Sequence, residues 1–262
     1  MSIQQKENIE SNEFWQGKYA DRKISELPLF PRPGIGGYEI FERKLADLIG
    51  DVRGKEVLDL GCGNGSTSLY LAKNGAKVTA IDFSENAVDN TIKLAREYGF
   101  EVEAQTLDAL EIEKLGKKFD LVIGKLVLHH LEPFEKFSLA LSSCMKEGAR
   151  GLFIETSARN PILMAARGNL VGKYGIPKYG DDEEYPFEPK ELKLLEKNVG
   201  RSNLYCPEFI FFQKIDTYLF KKNPKLKFLA KLFKNVDRII TKRLPIVHKY
   251  GYLQLVEIFK EK

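Results

Sequence analysis

At 262 residues, with 43% hydrophobic and 30% charged side chains, the chain can build a globular core without disulfides or a structural metal. Its three cysteines (Cys62, Cys144, Cys206) are far apart and form no CxxC pair, which argues against a zinc site and suits a reducing, cytoplasmic compartment. A net charge of +4 is small for a nucleic-acid binder, no apolar run approaches the roughly 20 residues of a bilayer span, and the polar segment Met1 to Glu13 is unlike a secretory signal.

Taken in chain order, Tyr38 to Ile49 places Ile40, Leu45, Leu48 and Ile49 at helical spacing. Val57 to Leu60 reads as a short buried strand running into Gly61-Cys62-Gly63-Asn64-Gly65. Ser66 to Asn74 is helical and stops at Gly75. Val78 to Asp82 is a second strand, and Glu85 to Tyr98 a second helix closed by Gly99. Phe100 to Leu107, Phe119 to Ile123 and Gly151 to Glu155 supply three further strands. The helix before the last of these opens near Pro133 and presents Phe134, Phe137, Leu141 and Cys144 on one face. Strands alternating with helices predict a parallel sheet covered on both faces, with ligands beyond the carboxyl ends of the strands where strand order reverses.

After Glu155 the pattern changes. Ala158 to Pro189 is rich in Gly, Pro and Tyr and holds the acidic run Asp181-Asp182-Glu183-Glu184. A helix follows over Pro189 to Val199, then a strand over Phe209 to Phe220, a basic helix over Pro224 to Arg243, and a final strand over Tyr252 to Lys260.

The glycine cluster at the first strand-to-helix turn lets the backbone come close to a ligand. A dinucleotide fingerprint would want Gly or Ala where Ser66 stands, and Asp59 is badly placed for a pyrophosphate but well placed for an ammonium group. An oxidoreductase is therefore disfavoured. With Val57 to Gly65, Val78 to Ser84, Leu107 to Ala109, Phe119 to Leu131 and Lys146 to Thr156 in this order, the sequence resembles the class I S-adenosylmethionine-dependent methyltransferases of small-molecule type. The resemblance spans roughly Phe14 to Ser157.

That resemblance implies a Rossmann-like, doubly wound sheet of seven mostly parallel strands with helices on both faces and a C-terminal antiparallel strand. One domain over 1–262 is expected, with a helical cap at 1–50 and a cofactor-binding half at 51–157. Residues 158–262 would carry a substrate-covering loop, the last strands and the basic amphipathic helix. The implied cofactor is S-adenosylmethionine, leaving as S-adenosylhomocysteine. Its expected contacts are Asp59, Gly61, Gly63 and Gly65 of the turn, Asp82 for the ribose hydroxyls, and Asp108 for the adenine amino group. Phe83 with Leu107 or Ala109 would sandwich the ring, Lys125 stands at the fourth strand tip, and Trp15 and Tyr19 would close over the methionine end.

An acceptor of high pKa needs a base. His129 and His130, two of the three histidines, lie at the fourth strand tip and are the candidates. Adjacent histidines point apart and have no carboxylate at ligand spacing, so no metal is expected. No Asn/Asp-Pro-Pro-Tyr/Phe motif follows the fourth strand, and Cys206-Pro207 reverses the Pro-Cys order of cytosine enzymes. A small-molecule acceptor is expected, lipid-linked or glycosyl acceptors included. RNA or protein methylation, or a non-catalytic cofactor-binding subunit, stand as alternatives.

Acceptor choice falls to the 158–189 loop, with Tyr174, Tyr179, Tyr185, Phe187, Arg159 and Arg167, and to the basic helix. There Leu226, Leu229, Phe233, Val236 and Ile240 form an apolar stripe that Phe228, Leu232 and Ile239 widen. Such a helix docks on a core or lies on an anionic membrane, so peripheral membrane contact through 225–243 is a second expectation. The oligomeric state is not legible.

Overall fold

The computed structural model describes residues 13–20, 29–32, 37–173, 185–218 and 224–261. A seven-stranded sheet runs in the order β3-β2-β1-β4-β5-β7-β6. Its strands are β1 (Glu56–Leu60), β2 (Lys77–Asp82), β3 (Glu103–Thr106), β4 (Phe119–Lys125), β5 (Met145–Thr156), β6 (Ser202–Tyr205) and β7 (Leu253–Phe259). β1 to β5 are parallel, and β7 inserts antiparallel between β5 and β6. Strand order reverses between β1 and β4, which opens a crevice at their carboxyl ends.

The helices are α1 (13–19), α2 (Tyr38–Ile49), α3 (Ser66–Lys73), α4 (Glu85–Glu97), α5 (Phe134–Cys144), α6 (Pro161–Leu170), α7 (Pro189–Asn198), α8 (Phe212–Tyr218) and α9 (Lys227–Arg243). Consecutive strand residues supply opposite faces of the sheet. Leu121, Ile123, Leu152 and Ile154 pack with Phe41 and Leu45 of α2 and Leu71 of α3. Val122 and Phe153 pack on the other side with Phe134, Phe137 and Leu141 of α5 and Leu195 of α7. Burial on both faces is why these strands read as continuous apolar runs.

Local signals set the helix ends. Ser84 Oγ accepts from Ala87 N to cap α4, and Asn160 Oδ1 accepts from Ile162 N and Leu163 N to cap α6, with Pro161 at its first turn. Glu188 and Glu191 form a reciprocal capping box at α7.

α2 has the expected bounds and buries Phe41, Glu42, Leu45 and Ile49, with Ile40 exposed. Two expectations need correction. β3 covers only Glu103–Thr106. Where a strand was expected over Phe209 to Phe220, the described residues up to 218 form a turn leading into α8, while the strand of this region is β6. The reason is a distant carboxylate: Asp237 of α9 accepts from the backbone N–H groups of Phe211, Phe212 and Gln213 at 3.2, 3.0 and 3.0 Å. Those donors are committed to a helix start and not to a sheet ladder. In the 158–189 loop, Phe187 is a core residue packed on Phe134. Tyr174, Tyr179 and Asp181 to Glu184 lie outside the described residues.

Candidate active site

A cleft of about 420 Å³ opens at the strand-order reversal. Its floor is the β1–α3 turn. Gly61 and Gly63 have φ of +68° and +55°, the left-handed region that favours glycine. A Cβ on Gly63 would stand 2.8 Å from Tyr19 Oη, and one on Gly61 2.8 Å from Val127 Cγ2. The absent side chains are thus what let α1 and the β4 tip close on this turn.

Asp82 ends β2 inside the cleft. Its Oδ2 accepts from Gly63 N at 2.9 Å and its Oδ1 from Ser84 N at 3.0 Å. Burial pushes its carboxyl above the usual carboxylate range, against the pull of these N–H groups. Each carboxylate oxygen retains a second lone pair for a ligand hydroxyl. Phe83, Leu107, Asp108 and Ala109 line the same wall. Asp108 also caps the short 3-10 turn Ala109–Leu115, its Oδ1 accepting from Leu110 N at 2.8 Å.

The opposite end is cationic. Lys125, at the end of β4, and Arg32 both line the cleft. Glu42, fully buried on α2, holds both: Arg32 Nε donates to Glu42 Oε1 at 2.7 Å and Lys125 Nζ at 3.2 Å. Burial works against the Glu42 charge, but Lys125 and Arg32 outweigh it and its pKa falls. Burial lowers the Lys125 pKa, against the pull of Glu42 and Asp59.

α1 crosses the cleft as a strap. Gln16 Oε1 accepts from Ser84 Oγ and Asn86 N at 3.1 and 3.2 Å, and Asn90 Nδ2 donates to Tyr19 O at 2.9 Å. The Trp15 ring stacks on Tyr19 and meets His130 edge-on, with centroids 5.3 Å apart in the second pair.

The β4 tip carries a strained residue: Leu126 has φ +57°, which costs a non-glycine residue about 1–2 kcal/mol. Glu155, at the end of β5 and fully buried, holds the turn that follows. Its Oε1 accepts from Val127 N and Leu128 N at 2.9 and 2.8 Å, and His129 Nδ1 lies 2.5 Å from Oε2. His129 is thereby turned inward, while His130 lines the cleft.

Of the residues singled out from sequence, the cleft brings together Trp15, Tyr19, Gly61, Gly63, Asp82, Phe83, Asp108, Ala109, Lys125 and His130. Asp59, Gly65 and His129 are not on its lining. Asp59 is buried behind the turn, where Ser68 Oγ donates to its Oδ2 at 2.5 Å. Gly65 lies against Thr91 of α4. Cys62 lines the cleft, but burial together with Asp82 and Asp59 raises its thiol well above the usual value, so it stays a thiol at neutral pH. Sequence reasoning missed Arg32, Glu42 and Glu155. Glu42 stands on the apolar face of a helix and Glu155 ends an apolar strand; a carboxylate in such a place is the signal that marks both.

Burial raises Asp59 to about 6, above the 3.9 of an unfolded aspartate. The folded state therefore holds more protons between these values, and stability falls as pH rises from about 4 through 6. Asp59→Asn is expected to flatten that fall and to gain on the order of 2–3 kcal/mol at pH 7.5 relative to its effect at pH 4. Urea midpoints of both proteins across pH 4–8 check this; parallel curves would rule out Asp59 as the source.

The fold, the glycine turn and the strand-end acids match those of class I methyltransferase domains, which use S-adenosylmethionine. Residues 57–148 match the family model described as a methyltransferase domain. Among proteins of known name, the chain is 30% identical over 160 residues to the ubiquinone biosynthesis O-methyltransferase of Aeromonas salmonicida (strain A449), covering 60% of this chain and 66% of that protein. It is 33% identical over 153 residues to the enzyme of the same name from Coxiella burnetii (strain Dugway 5J108-111), covering 57% and 64%. The chain thus spans just under two thirds of these relatives' lengths. The magnesium protoporphyrin IX methyltransferase of Synechocystis PCC 6803 with bound SAH shares the fold, with a TM-score of 0.52, 19% identity, and coverage of 100% of this chain and 89% of that one.

The cleft suits S-adenosylmethionine in its donor set. Apolar walls at Phe83, Leu107 and Ala109 match a purine, and the Asp82 carboxylate matches ribose hydroxyls. The glycine floor admits close backbone approach, and the Arg32–Lys125 end matches a carboxylate.

Proposed function

We propose that the protein transfers the methyl group of S-adenosylmethionine to an oxygen of a small, lipid-linked acceptor, the 51–157 half holding the cofactor under the 1–50 cap and 158–262 carrying the segments that cover the acceptor. The observation that carries this is His130, which follows the β4 tip, lines the same cleft as Asp82 and meets the Trp15 ring edge-on. Oxygen as the accepting atom is supported by the relatives named for O-methylation. Peripheral contact through 225–243 would bring a lipid-linked acceptor within reach.

When bound, S-adenosylmethionine supplies a methyl group already activated on a positive sulfur. The chain's own work is then to hold, align and dry the site. Asp82 and the glycine turn hold the nucleoside end, Arg32 and Lys125 the amino-acid end, and the α1 strap with Trp15 and Tyr19 excludes water. His130 takes the acceptor's hydroxyl proton, and Glu155 through the 127–129 turn keeps that imidazole at the cleft wall.

The test is release of S-adenosylhomocysteine with a panel of phenolic and lipid-linked hydroxyl acceptors, on the intact protein and on His130→Ala. The variant is expected to lose about 100-fold in kcat while binding S-adenosylmethionine within threefold of the parent, in the range for general-base removal. Unchanged turnover and pH profile would remove His130 from the mechanism. Binding without turnover on any acceptor would favour a non-catalytic subunit.

A further inference from the structure

α9 is held in one rotational setting. Asp237, fully buried near its middle, accepts from three backbone N–H groups of the 211–213 turn, and Thr241 Oγ1 accepts from Phe209 N at 3.0 Å. Phe233 stacks on Phe212 beside them. The face that docks is thus the one carrying Phe233, Asp237 and Thr241, with Leu229, Val236 and Ile240 half-buried beside it.

A second apolar stripe on the same helix faces outward. Phe228, Leu232 and Ile239 are 65%, 51% and 58% exposed. At 3.6 residues per turn they fall within about 40° of one another, roughly 160° around the helix from the Phe233–Asp237–Thr241 face. The chain beyond the helix continues this surface with Leu244 and Ile246, 50% and 76% exposed. Because Asp237 and Thr241 lock the helix, it cannot rotate to bury these side chains. Lys231, Lys242 and Arg243 flank the stripe and are exposed, and the sole acid of α9 is the buried Asp237. Large apolar side chains in a contiguous exposed stripe mark an interaction surface. A cationic rim around such a stripe matches the headgroups of an anionic bilayer.

The position also fits. Ile210 O accepts from Tyr252 N at 2.8 Å, and the adjoining Leu253 pairs with Thr156 at the carboxyl end of β5. The segment that carries α9 is therefore stitched to the same sheet edge at which the cleft opens.

From these observations we infer that α9 and residues 244–246 seat the protein on an anionic lipid surface, with Phe228, Leu232, Ile239 and Ile246 entering the headgroup boundary and the flanking lysines and arginines meeting lipid phosphates. This deepens the lipid-linked acceptor assignment and rests on it for its purpose. Its geometry stands by itself.

The experiment is vesicle co-sedimentation of the full chain at about 0.05 M salt, with 1:1 phosphatidylglycerol–phosphatidylcholine and with phosphatidylcholine alone. The parent is expected to bind the anionic vesicles at least fivefold better, and to lose most binding at about 0.5 M salt as charge is screened. Phe228→Asp/Leu232→Asp/Ile239→Asp should lower binding at least tenfold. Lys231→Glu/Lys242→Glu, which leaves every apolar contact in place, should lower it at least threefold. Both variants should keep far-UV circular dichroism and S-adenosylmethionine affinity. Absence of binding by the parent, or undiminished binding by both variants, overturns the inference. So does a concentration-dependent dimer in sedimentation equilibrium that the triple variant abolishes, since a second copy would then own the stripe. Methyl transfer to a detergent-dispersed acceptor is read separately: vesicle binding without transfer would sink the functional proposal, and transfer without vesicle binding would sink this surface.

Discussion

Asp82→Ala is expected to weaken both S-adenosylmethionine and S-adenosylhomocysteine at least tenfold, about 1.4 kcal/mol, and by up to a hundredfold. Two losses combine. The ligand loses a charged acceptor for its ribose hydroxyls, and the protein loses the carboxylate that pairs Gly63 N and Ser84 N. Each buried N–H left unpaired costs about 1–3 kcal/mol, and Gly63 lies in the turn that must keep its left-handed conformation for the cofactor to approach. Asp82→Asn retains one carbonyl acceptor and should fall between the parent and the alanine variant. Isothermal titration of the three proteins checks this. Equal affinities in well-folded protein would remove Asp82 from the cofactor site. No affinity for either ligand in the parent, with NAD bound in its place, would reinstate the oxidoreductase reading.

A larger effect on stability is expected at Glu155. Its fully buried carboxylate accepts from Val127 N and Leu128 N and pairs with the buried His129. Each buried partner left unsatisfied costs about 1–3 kcal/mol, so removing this carboxylate from three of them takes a large share of the marginal stability of a domain. Glu155→Ala should therefore lower the urea midpoint sharply and abolish turnover, because the strained turn at Leu126 loses the group that over-determines it. Glu155→Gln keeps a carbonyl oxygen for the two N–H groups while replacing the His129 acceptor by an amide. It should recover at least half of the lost stability, with kcat still depressed. Near-parental stability in the alanine variant, measured by urea unfolding with and without S-adenosylhomocysteine, would show that the turn is held by other contacts.

The cleft wall of Asp82, the glycine turn and Asp108 was readable from sequence because it is local. Asp82 ends an apolar strand, Gly61 and Gly63 stand at a strand-to-helix turn, and Asp108 closes the next strand, so backbone periodicity alone carries these side chains to one edge of a parallel sheet. Arg32 and Glu42 were not readable in that way. Glu42 meets Lys125 from 83 residues away, and no spacing rule links a helix carboxylate to a strand tip so distant. His129 and His130 looked equivalent as neighbours. The structure separates them, since a carboxylate from the adjacent strand takes one and leaves the other facing the cleft.

The same division holds in the C-terminal half. The amphipathic pattern of 226–240 was plain, but the contacts that anchor the helix run through Asp237 and Thr241 beside Phe233, on the flank of the stripe that the spacing picked out. Which of the widening residues stay outside was decided by Asp237 and Thr241, whose partners lie on a turn that had the composition of a strand. What the sequence determined by itself, then, is whatever follows from periodicity and from residues at the ends of their own elements: the alternating architecture, the glycine turn and the acids at the strand ends. Only the tertiary structure decided which buried charges meet, which histidine faces the cleft and which side of α9 is exposed. Those outcomes are set by packing between segments remote in the chain, where burying a polar group is tolerated only when a partner from elsewhere satisfies it.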